Sequence, residues 1–378
     1  MEEKLRMRKI PIAKPLLGEL EAKAAHDVIL TGWVTQGPKV QEFEKDFCEY
    51  TGAKYAVAVS NCTTGLHLSL IVAGISCGDE VICPSMSYIA TANCIRYVGA
   101  EPVFAEVGND FNLDIEDVRT KITPKTKAIL IVHQIGNPAD IAAYQELCNA
   151  HNLKLIEDGA CAIGSEYKSK KIGSHSELVC FSFHPRKVIT TGDGGMITTN
   201  NEEFYIRLKH LRQHGMSVND QVRHNSKKVI IEEYLELGYN YRMTDIQAAV
   251  GIEQLKRLNG IVLDRRRIAE MYNEAFKNSD SVEVLNEGDK RFNYQSYSLL
   301  LTAKCPISRN DLMQELLDKG ISTRRGIMTA HREKAYSSKS YSLPKSEFYS
   351  DNSILLPIYV PMDEEDIAYI IESVKQFI

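Results

Sequence analysis

The sequence predicts an α/β fold, a mostly parallel seven-stranded sheet covered by helices on both faces and followed by a smaller α+β domain. Three observations predict it. Short apolar runs alternate with helical patterns from Tyr55 to Glu157, as in successive strand–helix–strand units. Two more apolar runs, Leu178 to Phe183 and Met196 to Thr199, flank a glycine-rich connection. Near Asn293 the texture changes to alternating Tyr294, Tyr297, Leu299 and Leu301 with separate helices. At 378 residues the chain also exceeds the roughly 250–300 that one hydrophobic core accommodates, so two domains are expected, 1–261 and 262–378.

In chain order, Leu16 to Leu30 is expected to be helical, with Leu20, Ala24 and Val28 at i, i+4 and i+8 and Gly32 beyond the end. Val40, Phe43 and Phe47 share a face of a second helix, stopped by Gly52. Strands follow at Tyr55 to Ser60, Glu80 to Cys83, Pro102 to Val107, Ala128 to His133 and Lys154 to Glu157, with helices from Leu66, Tyr88, Ile115 and Ile141 between them. Buried parallel strands give continuous apolar runs of this kind.

After a helix from Glu202 to His214, the polar and basic stretch Ser217 to Lys228 has no period and is expected to be a loop. Thr244 caps a strong helix to Asn259, and its charged face continues toward Phe276. Beyond Asn293 the pattern predicts a helix from Ser308 to Lys319. It also predicts a final helix opened by Asp363-Glu364-Glu365-Asp366, carboxylates suited to a positive helix end.

Composition narrows the function. A net charge of −5, 44% apolar and 25% charged residues describe a soluble globular protein with no basic surface for nucleic acid or anionic lipid. No apolar run approaches the ~20 residues needed to cross a bilayer, and Met1 to Lys9 is charged where a signal peptide turns apolar, so a cytoplasmic protein is expected. Nine cysteines, at 48, 62, 77, 83, 94, 148, 161, 180 and 305, form no C-x-x-C pair and suit reduced thiols; no metal site is expected.

The chemistry centres on Phe181 to Gly195, FSFHPRKVITTGDGG, which places Lys187 on a tight connection between two buried strands. Desolvation there should disfavour the charged amine and free it to attack a carbonyl. A solvated lysine beside Arg186 is the plainer reading of this segment alone. Four other strand ends add to it. Ser60 to Gly65 offers hydroxyls and backbone N–H groups for an anion, Pro84 to Tyr88 offers an aromatic ring, His133 to Pro138 follows a third strand, and Leu155 to Gly159 ends a buried strand in two carboxylates, one of which must turn inward. Ligands bind such sheets at the carboxyl ends of the strands. A lysine, a buried carboxylate, a phosphate loop and a ring-covering aromatic are the parts that hold pyridoxal phosphate.

These segments resemble the sugar aminotransferases of the DegT/DnrJ/EryC1/StrS family, within the fold type I aminotransferase superfamily. The likeness spans Gly37-Pro38 with Glu42-Phe43-Glu44, the loop from Ser60, Tyr88 to Gly99, His133 to Asp140, Glu157-Asp158, Ser182 to Gly195 and Gly238 to Met243. It implies that Lys187 carries the cofactor aldehyde as a Schiff base and then shuttles a proton, that Asp158 pairs with the pyridine nitrogen, and that Tyr88 stacks on the ring. It further implies that Thr63, the backbone at Cys62, and Ser182 hold the phosphate, and that Asn240 reaches the phosphate of a partner subunit in a homodimer. Two departures stand out. Cys161 occupies the place of the usual Gln or His beside the phenolic oxygen, and Cys62 and Gly159 replace a usual glycine and alanine.

The reaction so implied moves an amino group from L-glutamate to the keto carbon of a nucleotide-linked sugar, for instance a 4-keto-6-deoxyhexose, in surface polysaccharide or glycan synthesis. Arg223, His224, Lys227 and Lys228, with Arg324, Arg325, His331 and Arg332, are candidate ligands for substrate phosphates, and His184 is a further candidate substrate-binding residue. Alternatives are a smaller phosphorylated ketone or a cyclitol as acceptor, a sugar dehydratase, against which Lys187 counts, and a non-catalytic ligand sensor.

Overall fold

The computed structural model describes residues 8–218, 223, 226–285 and 291–378. Helices α1 (Glu19–Thr31) and α2 (Pro38–Thr51) end at Gly32 and Gly52, both left-handed, as their sequence signals require. The alternating region then gives β1 (Tyr55–Val59), α3 (Cys62–Val72), β2 (Glu80–Pro84), α4 (Ala90–Tyr97), β3 (Glu101–Ala105), α5 (Ile115–Lys121), β4 (Thr126–Val132), α6 (Ile141–His151) and β5 (Lys154–Asp158). A small hairpin, β6 (Glu166–Tyr167) and β7 (Lys170–Lys171), precedes β8 (Val179–Ser182) and β9 (Gly195–Thr199).

Seven strands form one sheet in the order β1-β9-β8-β5-β4-β2-β3. The pairs β2–β3, β2–β4, β4–β5 and β5–β8 are parallel, while β9 runs against both β1 and β8. Both faces are buried. In β4, Ile129 and Ile131 enter one core and Ala128, Leu130 and Val132 the other, which is why the strand reads as an unbroken apolar run.

Helix α7 (Glu202–Leu211) stops three residues before the expected His214, because the chain turns there to pair Gln213 with Asn240. Helix α8 (Asp245–Phe276) is unbroken over 32 residues and caps itself with Thr244 and Gln247. The expected division at 261/262 therefore falls inside a continuous helix, whose buried side continues through Ile261, Val262, Ile268 and Tyr272. Four antiparallel strands make the second sheet, β10 (Val282–Val284), β11 (Tyr297–Leu301), β12 (Arg324–Arg325) and β13 (Ser353–Leu356), in the order β10-β11-β13-β12. Helices α9 (Arg309–Asp318), α10 (Pro344–Asn352) and α11 (Glu364–Lys375) accompany it.

Candidate active site

Strand β5 ends in Glu157 and Asp158, and successive residues of a strand face opposite ways. Glu157 turns into the core, where it accepts from Ser176 Oγ and bonds His133 Nε2 at 2.8 Å, both side chains being fully buried. Because His133 Nδ1 accepts from Ala139 N at 3.0 Å, its proton sits on Nε2 and points at Glu157. Asp158 is the inward carboxylate. It accepts from Thr91 Oγ1 at 3.0 Å and Ala160 N at 3.1 Å, and Thr91 is in turn bonded to Ser87 at 2.7 Å. Only 6% exposed, it makes no ion pair among the described residues, and burial holds its carboxyl above the usual carboxylate range.

Lys187 lies on the connection from β8 to β9, tied by Lys187 N to His184 O at 2.8 Å. Its Nζ donates to Cys161 Sγ at 3.2 Å, on the turn that follows Asp158. Desolvation pulls the Lys187 ammonium down, but Cys161, Asp158 and Cys62 push it up, and the outcome is above the ordinary lysine value. The expected freeing of the amine by desolvation alone is thus overturned, since negative and sulfur neighbours outweigh burial.

The phosphate-loop candidates lie at the same end. Ser182 pairs with Gly195 in β9, and Gly195 pairs with Val59 in β1, one line across three strands beside the start of α3. A Cβ on Gly195 would stand 2.6 Å from Asn61 C and 2.7 Å from Cys62 N, so only glycine lets β9 pass under that loop. Asn61 Oδ1 accepts from Thr64 N at 2.9 Å, and the first-turn N–H groups at Cys62 and Thr63 are those a helix leaves without internal partners. Burial pushes the Cys62 thiol well up, a structural rather than reactive cysteine. Tyr88, three residues before Thr91, is 71% exposed. Asn240 is exposed on a segment held against β1 by Ser60 N to Tyr241 O at 2.8 Å.

The candidate substrate ligands do not form one group. His184 Nδ1 accepts from Arg186 N at 3.2 Å, and burial lowers its ring below the ordinary histidine value. Arg223 bonds Glu232 at 3.0 Å, Lys227 and Lys228 are exposed, and His224 lies outside the described residues. Arg324 and Arg325 are exposed on β12, an edge strand, where Arg325 faces Glu333 at 3.8 Å. Arg332 grips Asp351 through two bonds of 2.8 Å. Instead of offering a free ring to substrate, His331 is buried with both nitrogens engaged, Nδ1 by Ser85 Oγ at 2.5 Å and Nε2 by Glu347 at 3.1 Å. It joins Ser85, just past the end of β2, to Glu347 on α10.

A sequence model of the DegT/DnrJ/EryC1/StrS aminotransferase family matches residues 15–375. The chain belongs to that family. The GDP-perosamine synthase of Escherichia coli O157:H7 is 36% identical over 373 residues, covering 98% of this chain and 99% of that one. Among solved structures, Helicobacter pylori PseC, an aminotransferase involved in the biosynthesis of pseudoaminic acid, superposes with a TM-score of 0.91 at 29% identity, covering 98% and 99%. The PLP-form of the putative sugar aminotransferase Spr1654 from Streptococcus pneumoniae gives 0.90 at 29% identity, covering 98% of each. As a member, this chain is a pyridoxal-phosphate-dependent aminotransferase of fold type I.

The residues present fit the cofactor. A buried carboxylate that receives only neutral donors is completed by a protonated ring nitrogen, and the N-terminus of α3 by a phosphate. Thr91 went unnoticed in the sequence because its partner Asp158 is 67 residues away. A hydroxyl three residues after Tyr88 is the only local signal.

Proposed function

We propose that this chain transfers the amino group of L-glutamate to the keto carbon of a nucleotide-linked sugar. The observation that carries the reading is that Lys187 Nζ donates to Cys161 Sγ at 3.2 Å on the turn that follows the buried Asp158 carboxylate, at the carboxyl end of the parallel sheet. The name of the GDP-perosamine synthase relative supports the acceptor class. The donor follows from the family resemblance.

When bound, pyridoxal phosphate supplies an aldehyde that takes up the amino group and a ring that holds the electron pair released at the substrate carbon. Lys187 anchors that aldehyde and, once displaced, its Nζ carries the proton removed from one carbon to another. Asp158 keeps a proton on the ring nitrogen, and Thr91 and Ala160 N keep Asp158 aimed. Cys62 N, Thr63 and Ser182 bind the phosphate, Tyr88 covers the ring, and Cys161 borders its phenolic side.

We further infer two domains divided within α8, and a homodimer in which Asn240 serves the neighbouring phosphate. Val229, Ile231 and Leu237, on the same excursion as Asn240, are 93%, 86% and 83% exposed in the single chain and suit burial by a second copy. No helix among the described residues is long and apolar enough to cross a membrane, and all nine cysteines are free, as suits the reducing cytoplasm.

Turnover tests the reading. Wild type should form 2-oxoglutarate from L-glutamate beyond one equivalent per site only with a nucleotide-linked ketosugar, and sedimentation should give a dimer. Lys187→Ala should lose the lysine-bound absorption band and all turnover. Labelling of another lysine on borohydride reduction would move the assignment off Lys187, and turnover with simple keto acids alone would remove the sugar acceptor.

A further inference from the structure

Asn293 is fully buried, and both polar atoms of its side chain and its backbone N are used. Its Nδ2 donates at 2.8 Å to Cys161 O and at 2.8 Å to Ile163 O, its backbone N donates to Ser165 Oγ at 3.1 Å, and its Oδ1 accepts from Gln295 N at 2.9 Å. Ser165 Oγ passes the link on to Gly136 O at 2.6 Å. A Cβ on Gly136 would lie 1.9 Å from Asn293 Oδ1, and this glycine is left-handed at φ +100°.

The neighbouring residues grip the other wall. Gln295 Nε2 donates to Arg186 O at 2.8 Å, one residue before Lys187. Tyr294 between them has φ +50°, a conformation that costs a non-glycine residue about 1 kcal/mol or more and persists only where the surroundings enforce it. Arg265 of α8 enforces it, bonding Tyr294 O at 2.8 Å and Gln295 O at 2.7 Å. One short segment leading into the second sheet thus holds both the Cys161 turn and the Lys187 connection.

We propose that Asn293 is a positioning residue for the cofactor site, holding the Cys161 turn so that its sulfur stays against Lys187 Nζ. Only a side chain with two donors and one acceptor on a short stem satisfies two carbonyls and a backbone N–H together. Aspartate would set a carboxylate against the Cys161 and Ile163 carbonyls. Alanine would leave both buried carbonyls unpaired, and the turn would open more often. The proposal rests on the reading that Cys161 and Lys187 face the cofactor.

The test compares full-length holoenzymes carrying Asn293→Ala, Asn293→Asp or, as a control, Tyr272→Phe, which deletes a buried bond of 2.9 Å to Pro357 O away from the site. Four quantities are read: the rate at which iodoacetamide labels Cys161, located by peptide mass, the pH midpoint of the lysine-bound absorption band, and kcat and KM for the ketosugar. Both Asn293 variants should label Cys161 roughly ten to a hundred times faster, as expected for two buried hydrogen bonds lost. They should also shift the band and lower kcat more than they raise KM, while the control moves none of these. If the Asn293 variants differ from wild type only in melting midpoint, as the control does, the residue is structural and the proposal falls. Should they fail to fold, Gln295→Ala, half-buried and releasing only Arg186 O and Ser296 Oγ, must still shift the band, or the segment does not position the site. A wild type without any such band would refute the cofactor reading, and the labelling rates would still decide the positioning.

Discussion

The carboxyl edge of the large sheet and the outer edge of the small one carry residues of the same kinds to opposite ends. At the first, Asp158 and Lys187 are withdrawn from solvent and incompletely satisfied, the carboxylate meeting two neutral donors and the amine a thiol. At the second, Arg325 already has a partner in Glu333, and in the short helix beyond it Arg332 and His331 have theirs in Asp351, and Ser85 with Glu347. Charge in itself therefore does not mark a site. What marks it is charge held in low dielectric without a matching partner, where a ligand can contribute the missing half.

The largest expected effect lies in that missing half. In the cofactor-free chain burial raises the Asp158 carboxyl above its unfolded value. Such a group contributes stability that is complete below the unfolded value and is lost as pH rises through the folded one. Without the cofactor, Thr91, Ala160 N and the nearby Lys187 offset only part of the cost of burying this carboxylate. Asp158→Asn should leave the cofactor-free melting midpoint unchanged or raise it by roughly 1–2 °C. Cofactor affinity should fall about a hundredfold or more, since removing one member of a buried pair costs roughly 3–5 kcal/mol. Melting curves and a cofactor titration check both. A variant that binds as tightly as wild type would erase the contrast between the two edges.

Strand ends were legible because an apolar run followed by proline or glycine marks them locally, and Lys187, Asp158 and the loop at Cys62 all sit at such ends. Thr91 and Asn293 were not, since their partners lie 67 and 132 residues away and each resembles an ordinary polar residue in its own window. The reversed direction of β9 was equally hidden, because a strand buried on both faces reads alike whichever way it runs. The short β12 escaped for another reason. Two exposed arginines carry no strand signal, and only pairing of Arg324 with Leu355 and Arg325 with Ile354 makes them one. His331 reads as a candidate phosphate ligand because its sequence surroundings are basic, whereas its fate is set by Ser85, 246 residues distant.

A smaller effect is expected at Cys161, whose sulfur touches Lys187 Nζ at 3.2 Å. A thiol donates weakly where an amide donates well, so the phenolic oxygen of the bound cofactor should be less stabilised as an anion than beside glutamine. A hydrogen bond to a charged acceptor contributes about 1.5–3 kcal/mol, and one pKa unit is about 1.4 kcal/mol. Cys161→Gln should accordingly lower the midpoint of the lysine-bound band by roughly one unit, up to two. Spectrophotometric titration of the two proteins decides it. Coincident curves, or a higher midpoint in the variant, would mean that the thiol fills space without tuning the ring.

The smallest effect is expected at the outer edge. Arg325 and Glu333 face each other at 3.8 Å with side chains 60% and 43% exposed. Pairs so exposed contribute about 0–1 kcal/mol, because water screens them and two long side chains lose freedom in meeting. Arg325→Ala should therefore move the melting midpoint by less than about 2 °C in a chain of this length. If the edge stands apart from the chemistry, KM for the ketosugar should change less than about threefold, as one lost solvated contact allows. The opposite result is informative in its own right. A KM raised tenfold or more with kcat unchanged would mean that Arg325 exchanges Glu333 for a substrate phosphate, removing binding common to ground and transition states. In that event the solvent-exposed pair is a resting contact, and the small sheet's edge belongs to the active site after all.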